Sequence, residues 1–418
     1  MLLSDIIKHP STSLQHLERY VNDGSPSGFS KINTTSKETS PFEISHPHWF
    51  NAYFCIAPKE CFKQFGFIPS YPADEFTNDD NWIMLHPDMA AKLATINKEI
   101  KIYKSEKIRV VPTASGRTVQ IINQEKQGYI KLHYEGILGR VRRELPYQKA
   151  IAGPELSKII IEAIDKKVID KKLTLLPETG ARVFIIHGQG NIFEWGMVWR
   201  ENIPYAIEAD AMKYLFPAFS LFSSDSMAIY HYPILKQIID FTASNPEQYV
   251  FDVILIPLIK SYFDMIQKLG LQPEWNSQNL LISFNGNFTE ARFIMRDLES
   301  IDKDLTLMDN LNIKHNFECS PYKCIDETQY NYNIKHSFMF DFKLGECIID
   351  PLLLLLDRHY GTPLADSRNK VKKITKKYIN NLPDNFFPKN KWFVFDKVLV
   401  DQSVSERPYI EIDNPKFR

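Results

Sequence analysis

Four short segments carry residue types from which a metal-nucleotide site could be built. Glu274-Trp275-Asn276-Ser277-Gln278-Asn279 gathers amides and a carboxylate beyond a long apolar stretch, and Arg296-Asp297-Leu298-Glu299 closes a strand-like run. Oxygen ligands suit Mg²⁺, and a hairpin between the two segments would fix their spacing. The same residues serve equally well as turn formers, with Gln278 and Asn279 satisfying backbone groups and Asp297 capping a loop. Upstream, Pro112-Thr113-Ala114-Ser115-Gly116-Arg117-Thr118 offers hydroxyls and one guanidinium, the groups a triphosphate recruits, although it lacks the Gly-x-x-x-x-Gly-Lys of a Walker loop. Lys131-Leu132-His133-Tyr134 then leads to Arg140, Arg142 and Arg143, a concentration of cations that reads as an anion site or as an exposed turn.

The elements that must position these groups change in kind along the chain. Residues 20 to 45 are rich in Ser, Thr, Asn, Gly and Pro and read as irregular structure. Lys107 to Val111, Val119 to Ile122, Tyr129 to Tyr134, Val183 to Ile186 and Phe193 to Val198 have the pattern of strands. In His187-Gly-Gln-Gly-Asn191 two glycines between strands favour a hairpin turn over a phosphate loop. The spacing of Leu156, Ile159, Ile160, Ala163, Ile164 and Val168 predicts a helix over Pro154 to Leu173. A wide apolar stripe predicts another over Val250 to Leu269, kinked at Pro257 and stopped by Gly270. Leu280 to Phe284 and Ala291 to Asp297 then form a hairpin around Asn285-Gly286, and the basic stretch Lys370 to Lys377 has the spacing of a solvated helix face.

Taken in order, these segments resemble the siderophore synthetases that act independently of nonribosomal peptide synthetases, the IucA/IucC-like ligases. The resemblance rests on Pro112-Thr-x-Ser-x-Arg-Thr118, Lys131-Leu132 through Arg143-x-Leu145, Gly153-Pro154 with Ser157, Pro177-Glu178, Arg200-Glu201-Asn202, Tyr262 to Gly270, Glu274-x-x-x-Gln278-Asn279 and Arg296-Asp297-Leu298-Glu299. It covers roughly residues 105 to 418. It implies an α/β (α+β) fold shaped like a hand: a reduced thumb over 1–100, sheet-rich fingers over 101–215 and a helix-rich palm over 216–418, with ATP between fingers and palm. It also implies a reaction in which a carboxylate, typically of citrate or a related acid, becomes an acyl-adenylate that an amine or hydroxyl attacks. Thr113, Ser115, Arg117, Asn276, Gln278 and Asn279 would then bind nucleotide, Asp297 would hold Mg²⁺, and Lys131, Arg143 and Arg140 would serve the chemistry.

The departures from the family pattern are specific. Asn276 stands where the family loop reads Glu-x-His-x-Gln-Asn, Gly139 beside Arg140 replaces a Thr, and Ser300 replaces a Gly. Only Ser45-His46-Pro47-His48 stands for the family's His-Pro motif, and Leu85-His86-Pro87 for its next His-Pro. An amide cannot take up a proton near neutral pH as imidazole can. Two alternatives therefore stand beside the ligase: a non-catalytic descendant that binds nucleotide, carboxylate or protein, and a kinase-like phosphotransferase. The latter fits the Glu274-x₄-Asn279 and Asp297 spacing but has no Gly-rich loop.

Composition narrows the rest. The 418 residues suggest two or three packed units, and 44% apolar against 24% charged residues can bury a core. Fifty Lys and Arg nearly balance 51 Asp and Glu, leaving a formal charge of minus one and no global field for a polyanion, so small-molecule partners are expected rather than nucleic acid. Five cysteines without a C-x-x-C pair point to a reduced, cytoplasmic protein. The most apolar run, Ile348 to Leu356, is broken by Asp350-Pro351 and too short for a bilayer, so no membrane partner is expected, and a homodimer remains an open assembly.

Overall fold

The computed structural model describes residues 1–22, 39, 49–69, 82–96, 100–138, 141–188, 191–207, 213–314, 317, 323–395 and 409–418. Arg140, Gly139 and the Ser45 to His48 motif lie outside these residues, as does nearly all of the segment read as irregular. Eight antiparallel strands make the main sheet. They are β1 (Phe50–Ile56), β2 (Phe62–Gly66), β3 (Trp82–Leu85), β4 (Lys101–Pro112), β5 (Thr118–Ile121) and β6 (Gly128–Leu132). After a small hairpin of β7 (Tyr134–Leu138) and β8 (Val141–Arg143), and a strand β9 (Leu173–Leu175) that joins another sheet, β10 (Glu178–Gly188) and β11 (Asn191–Glu201) complete it. The order is β2-β10-β11-β6-β5-β4-β1-β3. The hairpin expected at His187 to Asn191 is present, with Gly188 opposite Asn191.

Period-two alternation divides the sheet between two cores. In β10, Ala181 and Val183 join one cluster while Phe184 and Ile186 join the other. Four helices start the chain's helical series: α1 (Leu3–Lys8), α2 (Pro10–Tyr20), α3 (Pro87–Ile96) and α4 (Tyr147–Asp165). α4 packs on β10 and β11 and reaches the turn at Leu298–Ser300. Its position corrects the predicted Pro154 to Leu173 helix. Pro154 lies inside it, and it ends early because Lys167 takes a left-handed φ of 57°. The amides of Lys167 and Val168 then bond back to Ile164 and Ala163, a Schellman closure without glycine.

The second half builds a four-stranded sheet, β12 (Tyr214–Pro217), then β14 and β15, then β9, in which β14 (Leu280–Phe284) and β15 (Ala291–Met295) form the expected hairpin. β9 pairs in parallel with β15, and β13 (Leu271–Gln272) lies in a separate small sheet. The helix predicted over Val250 to Leu269 is continuous, with π-type bonding over Val250–Leu255 just before Pro257, whose ring nitrogen has no hydrogen to donate. Gly270 at φ 64° closes it. Ile348 to Leu356 is buried helix, and no described helix is long and apolar enough to cross a membrane. Lys370 to Lys377 lies on the helix Leu364–Ile379.

α2 ties the halves together. Glu18, 3% exposed, pairs with Arg296 at the end of β15 and accepts the Ala114 amide at 3.2 Å, so one carboxylate holds the 113–118 loop to the hairpin. Removing one partner of a buried pair strands the other charge, which costs about 3 kcal/mol. Glu18→Ala is expected to lower stability by that amount in urea unfolding, whereas Ser4→Ala, at an exposed position of α1, should change it by less than about 0.5 kcal/mol.

Candidate functional site

The 113–118 loop is rigid for local reasons. The Thr113 amide donates to the Thr118 carbonyl at 2.9 Å, and Gly116 supplies a φ of 71° that a side chain would resist. Ser115 Oγ accepts the amides of Arg117 (3.3 Å) and Thr118 (2.8 Å), which leaves its own proton for an acceptor such as Thr113 Oγ1 at 3.3 Å or a ligand. From below, buried His86 donates from Nε2 to the Gly116 carbonyl at 3.1 Å, its Nδ1 being occupied by the Asp88 amide. Leu85-His86-Pro87 therefore props the loop.

Arg117 and Lys131 enter the same space from neighbouring strands, since Thr118 lies opposite Lys131 in the β5–β6 ladder. Lys131 Nζ bonds Asp297 and lies 2.7 Å from Glu299 Oε1. Arg117 reaches the Arg143 carbonyl at 2.6 Å and Glu299 Oε1 at 3.4 Å. Arg200 from β11 grips Glu178 Oε1 from Nε and Nη2 at 3.0 and 2.6 Å and touches Asp297 Oδ1 at 3.2 Å. Glu178 fits against α4 because residue 153 is glycine: a Cβ there would stand 1.6 Å from its Oε2. Gly153, Ser157, Glu178 and Arg200 thus meet the site, Ser157 Oγ accepting the Glu178 amide at 2.8 Å.

Asp297 adopts a left-handed φ of 67°, uncommon outside glycine, and that turn swings its carboxylate toward Lys131 and Arg200. Burial opposes its charge, but Lys131, Arg200 and Arg117 hold its carboxyl well below the usual range. Burial opposes the charge of Glu299 too, and Lys131, Lys149 and Arg117 lower it, whereas burial raises Glu178 in spite of Arg200. Arg143 stays charged although burial, then Arg117, brings it down to about 10. Lys149 in the first turn of α4 is lowered to about 8 by burial against the pull of Glu299, with Arg117, Lys131 and Arg143 adding to the fall. Among the described residues, Arg117, Lys131, Arg143, Lys149 and Arg200 face three carboxylates, Glu178, Asp297 and Glu299. The Lys343–Glu274 pair alongside, 2.5 Å apart, leaves that excess of two positive charges unchanged.

The amide loop lies beside this cluster through Arg296, whose backbone amide bonds the Asn279 carbonyl at 3.0 Å and whose Nε bonds the Gln278 carbonyl at 2.7 Å. Asn279 Nδ2 lies 3.4 Å from Ser300 Oγ. Asn276, 5% exposed, is the turn former here: its Oδ1 accepts the amides of Gln278 and Asn279, both at 2.9 Å. Gln278's side-chain amide bonds no described residue, so it is Asn276, and not Gln278, that satisfies the turn. All predicted site residues meet at this junction except Arg140, which lies outside the described residues. Sequence reasoning missed Glu18 and Lys149, named His86 only as part of a His-Pro motif, and gave Glu299 no role of its own.

No group of three or more metal-ligating side chains occurs among the described residues. Mg²⁺ commonly takes one or two carboxylates with substrate phosphates and water. Glu299 Oε2 is buried without a hydrogen-bond partner, and Asp297 Oδ2 makes no hydrogen bond to a described residue, so the donors present fit such an ion.

With this geometry in place, relatives can be compared. Residues 80–223 match the model of the IucA / IucC family. No curated protein matches the sequence. The fold resembles that of the petrobactin biosynthesis protein AsbB from Bacillus anthracis, with a TM-score of 0.69 and 14% identity over 96% of this chain and 74% of that one. It also resembles ATP-bound aerobactin synthetase IucA from Klebsiella pneumoniae, with a TM-score of 0.68 and 13% identity over 99% and 80%. Aerobactin synthetase IucC from the same organism gives 0.65 and 14% over 92% and 72%. The α/β hand-like synthetase fold expected from the sequence is therefore the fold of the chain.

The tightness at residue 153 yields a test. Gly153→Ala must push Glu178 off Arg200 and is expected to cost about 2 kcal/mol in urea unfolding, within the range of overpacking. Gly286→Ala, whose nearest neighbour is Lys213 Cδ at 3.6 Å, should be nearly neutral.

Proposed function

We propose that this chain, a divergent relative of the IucA/IucC siderophore synthetases, is an ATP-dependent ligase. It activates a carboxylate as an acyl-adenylate and passes the acyl group to an amine or hydroxyl, as in siderophore biosynthesis. The observation that carries this reading is the buried excess of two positive charges, made by side chains from both halves of a synthetase fold. Both reactants are anions, and their encounter needs fixed cations that also meet charge developing on pyrophosphate.

In this reading Thr113, Ser115 and Arg117 bind phosphate oxygens, and Lys131 leaves Asp297 in part to meet them. Asp297 and Glu299 hold Mg²⁺, which neutralises the phosphates. Gln278, Asn279 and the Nδ2 of Asn276 are left to donate to the nucleotide. Arg143 receives the reacting carboxylate, and Arg140 is proposed to serve beside it. The division into thumb, fingers and palm at residues 100 and 215 belongs to the same proposal, with ATP in the cleft where Lys131 meets Asp297.

Asn276 gives the non-catalytic alternative its footing, because the imidazole expected there is absent. Its carboxamide, however, does a job that fits a retained site: it holds the turn that seats Gln278 and Asn279.

Calorimetry with Mg-ATP should show affinity reduced about tenfold or more in Arg117→Ala and in Asp297→Ala, the scale of a lost charge-assisted hydrogen bond. Unchanged binding in both would remove the site from this junction. With ATP-Mg and a panel of polycarboxylates the protein should release pyrophosphate, and Arg143→Ala should abolish that release. Accumulation of ADP would instead support the kinase-like alternative. Asn276→His is expected to lower stability by about 1 kcal/mol, since imidazole Nδ1 replaces a two-bond acceptor less well. It should also leave turnover unchanged or reduced. A rise in rate on introducing His would mean that the natural site has decayed.

A further inference from the structure

Lys149 is placed where a lysine is poorly tolerated. It occupies the first turn of α4, where the Tyr147 amide is bonded by Glu194 Oε2 at 2.9 Å and the amides that follow present positive charge. Its charged neighbours are the cations Arg117, Lys131 and Arg143 and one anion, Glu299, whose Oε1 is already bonded by Lys131 and Arg117. Lys149 makes no hydrogen bond or ion pair with a described residue.

Two more donors around it lack acceptors. Arg143 uses Nε on the Leu138 carbonyl at 3.3 Å, and its two NH₂ groups meet no acceptor among the described residues. His133 is 6% exposed and follows Lys131 by two positions, so both project from the same side of the strand, the His133 amide continuing the ladder to the Gly196 carbonyl. Its Nδ1 accepts the Leu145 amide at 3.1 Å, which places the proton on Nε2, and that atom is buried without a partner. Its charged neighbours include Arg117, Lys149 and Lys92, and Glu135 Oε1 stands 3.9 Å from its Nε2, beyond hydrogen-bond distance. Donors from β8, from α4 and from the residue just after β6 therefore face few acceptors: Glu135 is already bonded by Lys92 and Trp195, and Glu299 keeps only Oε2, the oxygen suited to Mg²⁺, without a partner.

We propose that Lys149, with His133 Nε2 as a neutral donor beside it, binds a second, non-reacting carboxylate of the acid substrate while Arg143 takes the reacting one. This rests on the ligase reading above and adds to it the residues that distinguish a di- or tricarboxylic acid from a monocarboxylic one. A carboxylate fits better than a phosphate because the hydroxyl loop, Arg117 and the carboxylates suited to Mg²⁺ come from other elements, and Lys149 brings no metal-binding group with it. A bound carboxylate would offset the lysine's burial, the like charges around it and the positive helix end at once.

The experiment is calorimetry of citrate, succinate and acetate on the full chain, with Mg-ATP affinity measured in parallel. The wild type is expected to bind citrate or succinate at least tenfold more tightly than acetate. Lys149→Met should weaken the polycarboxylate at least tenfold, with acetate and Mg-ATP affinities held within twofold. Lys149→Arg, which keeps the charge, should retain most of the polycarboxylate affinity, a rescue that a purely packing role would not give. Equal polycarboxylate affinity in wild type and Lys149→Met would overturn the proposal, as would a Lys149→Met loss confined to Mg-ATP, which would assign the lysine to phosphate. A wild type that prefers acetate, or binds none of the three acids, would overturn it as well. The ligase reading is judged separately: pyrophosphate release with a monocarboxylic acid would keep that reading and remove this one, and ADP release with intact Lys149-dependent citrate binding would do the reverse.

Discussion

The fold near the site answers to one electrostatic constraint: among the described residues, five cationic side chains must be held together in a poorly hydrated junction with three carboxylates. Charges taken out of water are tolerated only when paired and hydrogen-bonded, and a residual excess is stable only if structure prevents it from relaxing. The β5–β6 ladder sets Arg117 beside Lys131, β11 supplies Arg200, and the left-handed turn at Asp297 brings two carboxylates up from the hairpin. Gly153 lets Glu178 close the far side, and Glu18 fastens loop to hairpin from α2. The surplus that remains is what an anionic ligand would neutralise.

Much of this was legible in the sequence because residue type and order are local properties. The Thr-x-Ser-x-Arg loop, the Lys131 to Arg143 segment and the Arg296 to Glu299 turn could be named one by one, and strand periodicity located β4, β5, β6, β10 and β11. Partners set by tertiary contact were not legible. Glu18 bonds Arg296 across 278 positions, and nothing in the pattern of α2 marks it. Lys149 was hidden by a boundary error: apolar spacing that begins at Leu156 started the helix at Pro154, whereas the helix begins at Tyr147 and accommodates that proline inside. With the correct start, Lys149 becomes a cation in the turn where acidic residues are preferred.

Asn276 illustrates how one substitution can be misread from type alone. Against the family pattern it looks like the loss of an imidazole, and so of a proton carrier or a cation. In the fold it has a structural role, its side chain accepting the Gln278 and Asn279 amides and so holding the turn. The positive charge an imidazolium would bring has a counterpart in Lys149, on a different element and approaching from the α4 side.

The central claim is that the junction activates a carboxylate by attack on the α-phosphate of ATP. It is tested most directly by following heavy-oxygen label from a carboxylate of the acid substrate during turnover with the accepting amine or hydroxyl. The account predicts one labelled oxygen in AMP for each ligation. Label appearing in inorganic phosphate, with ADP as the nucleotide product, would contradict it.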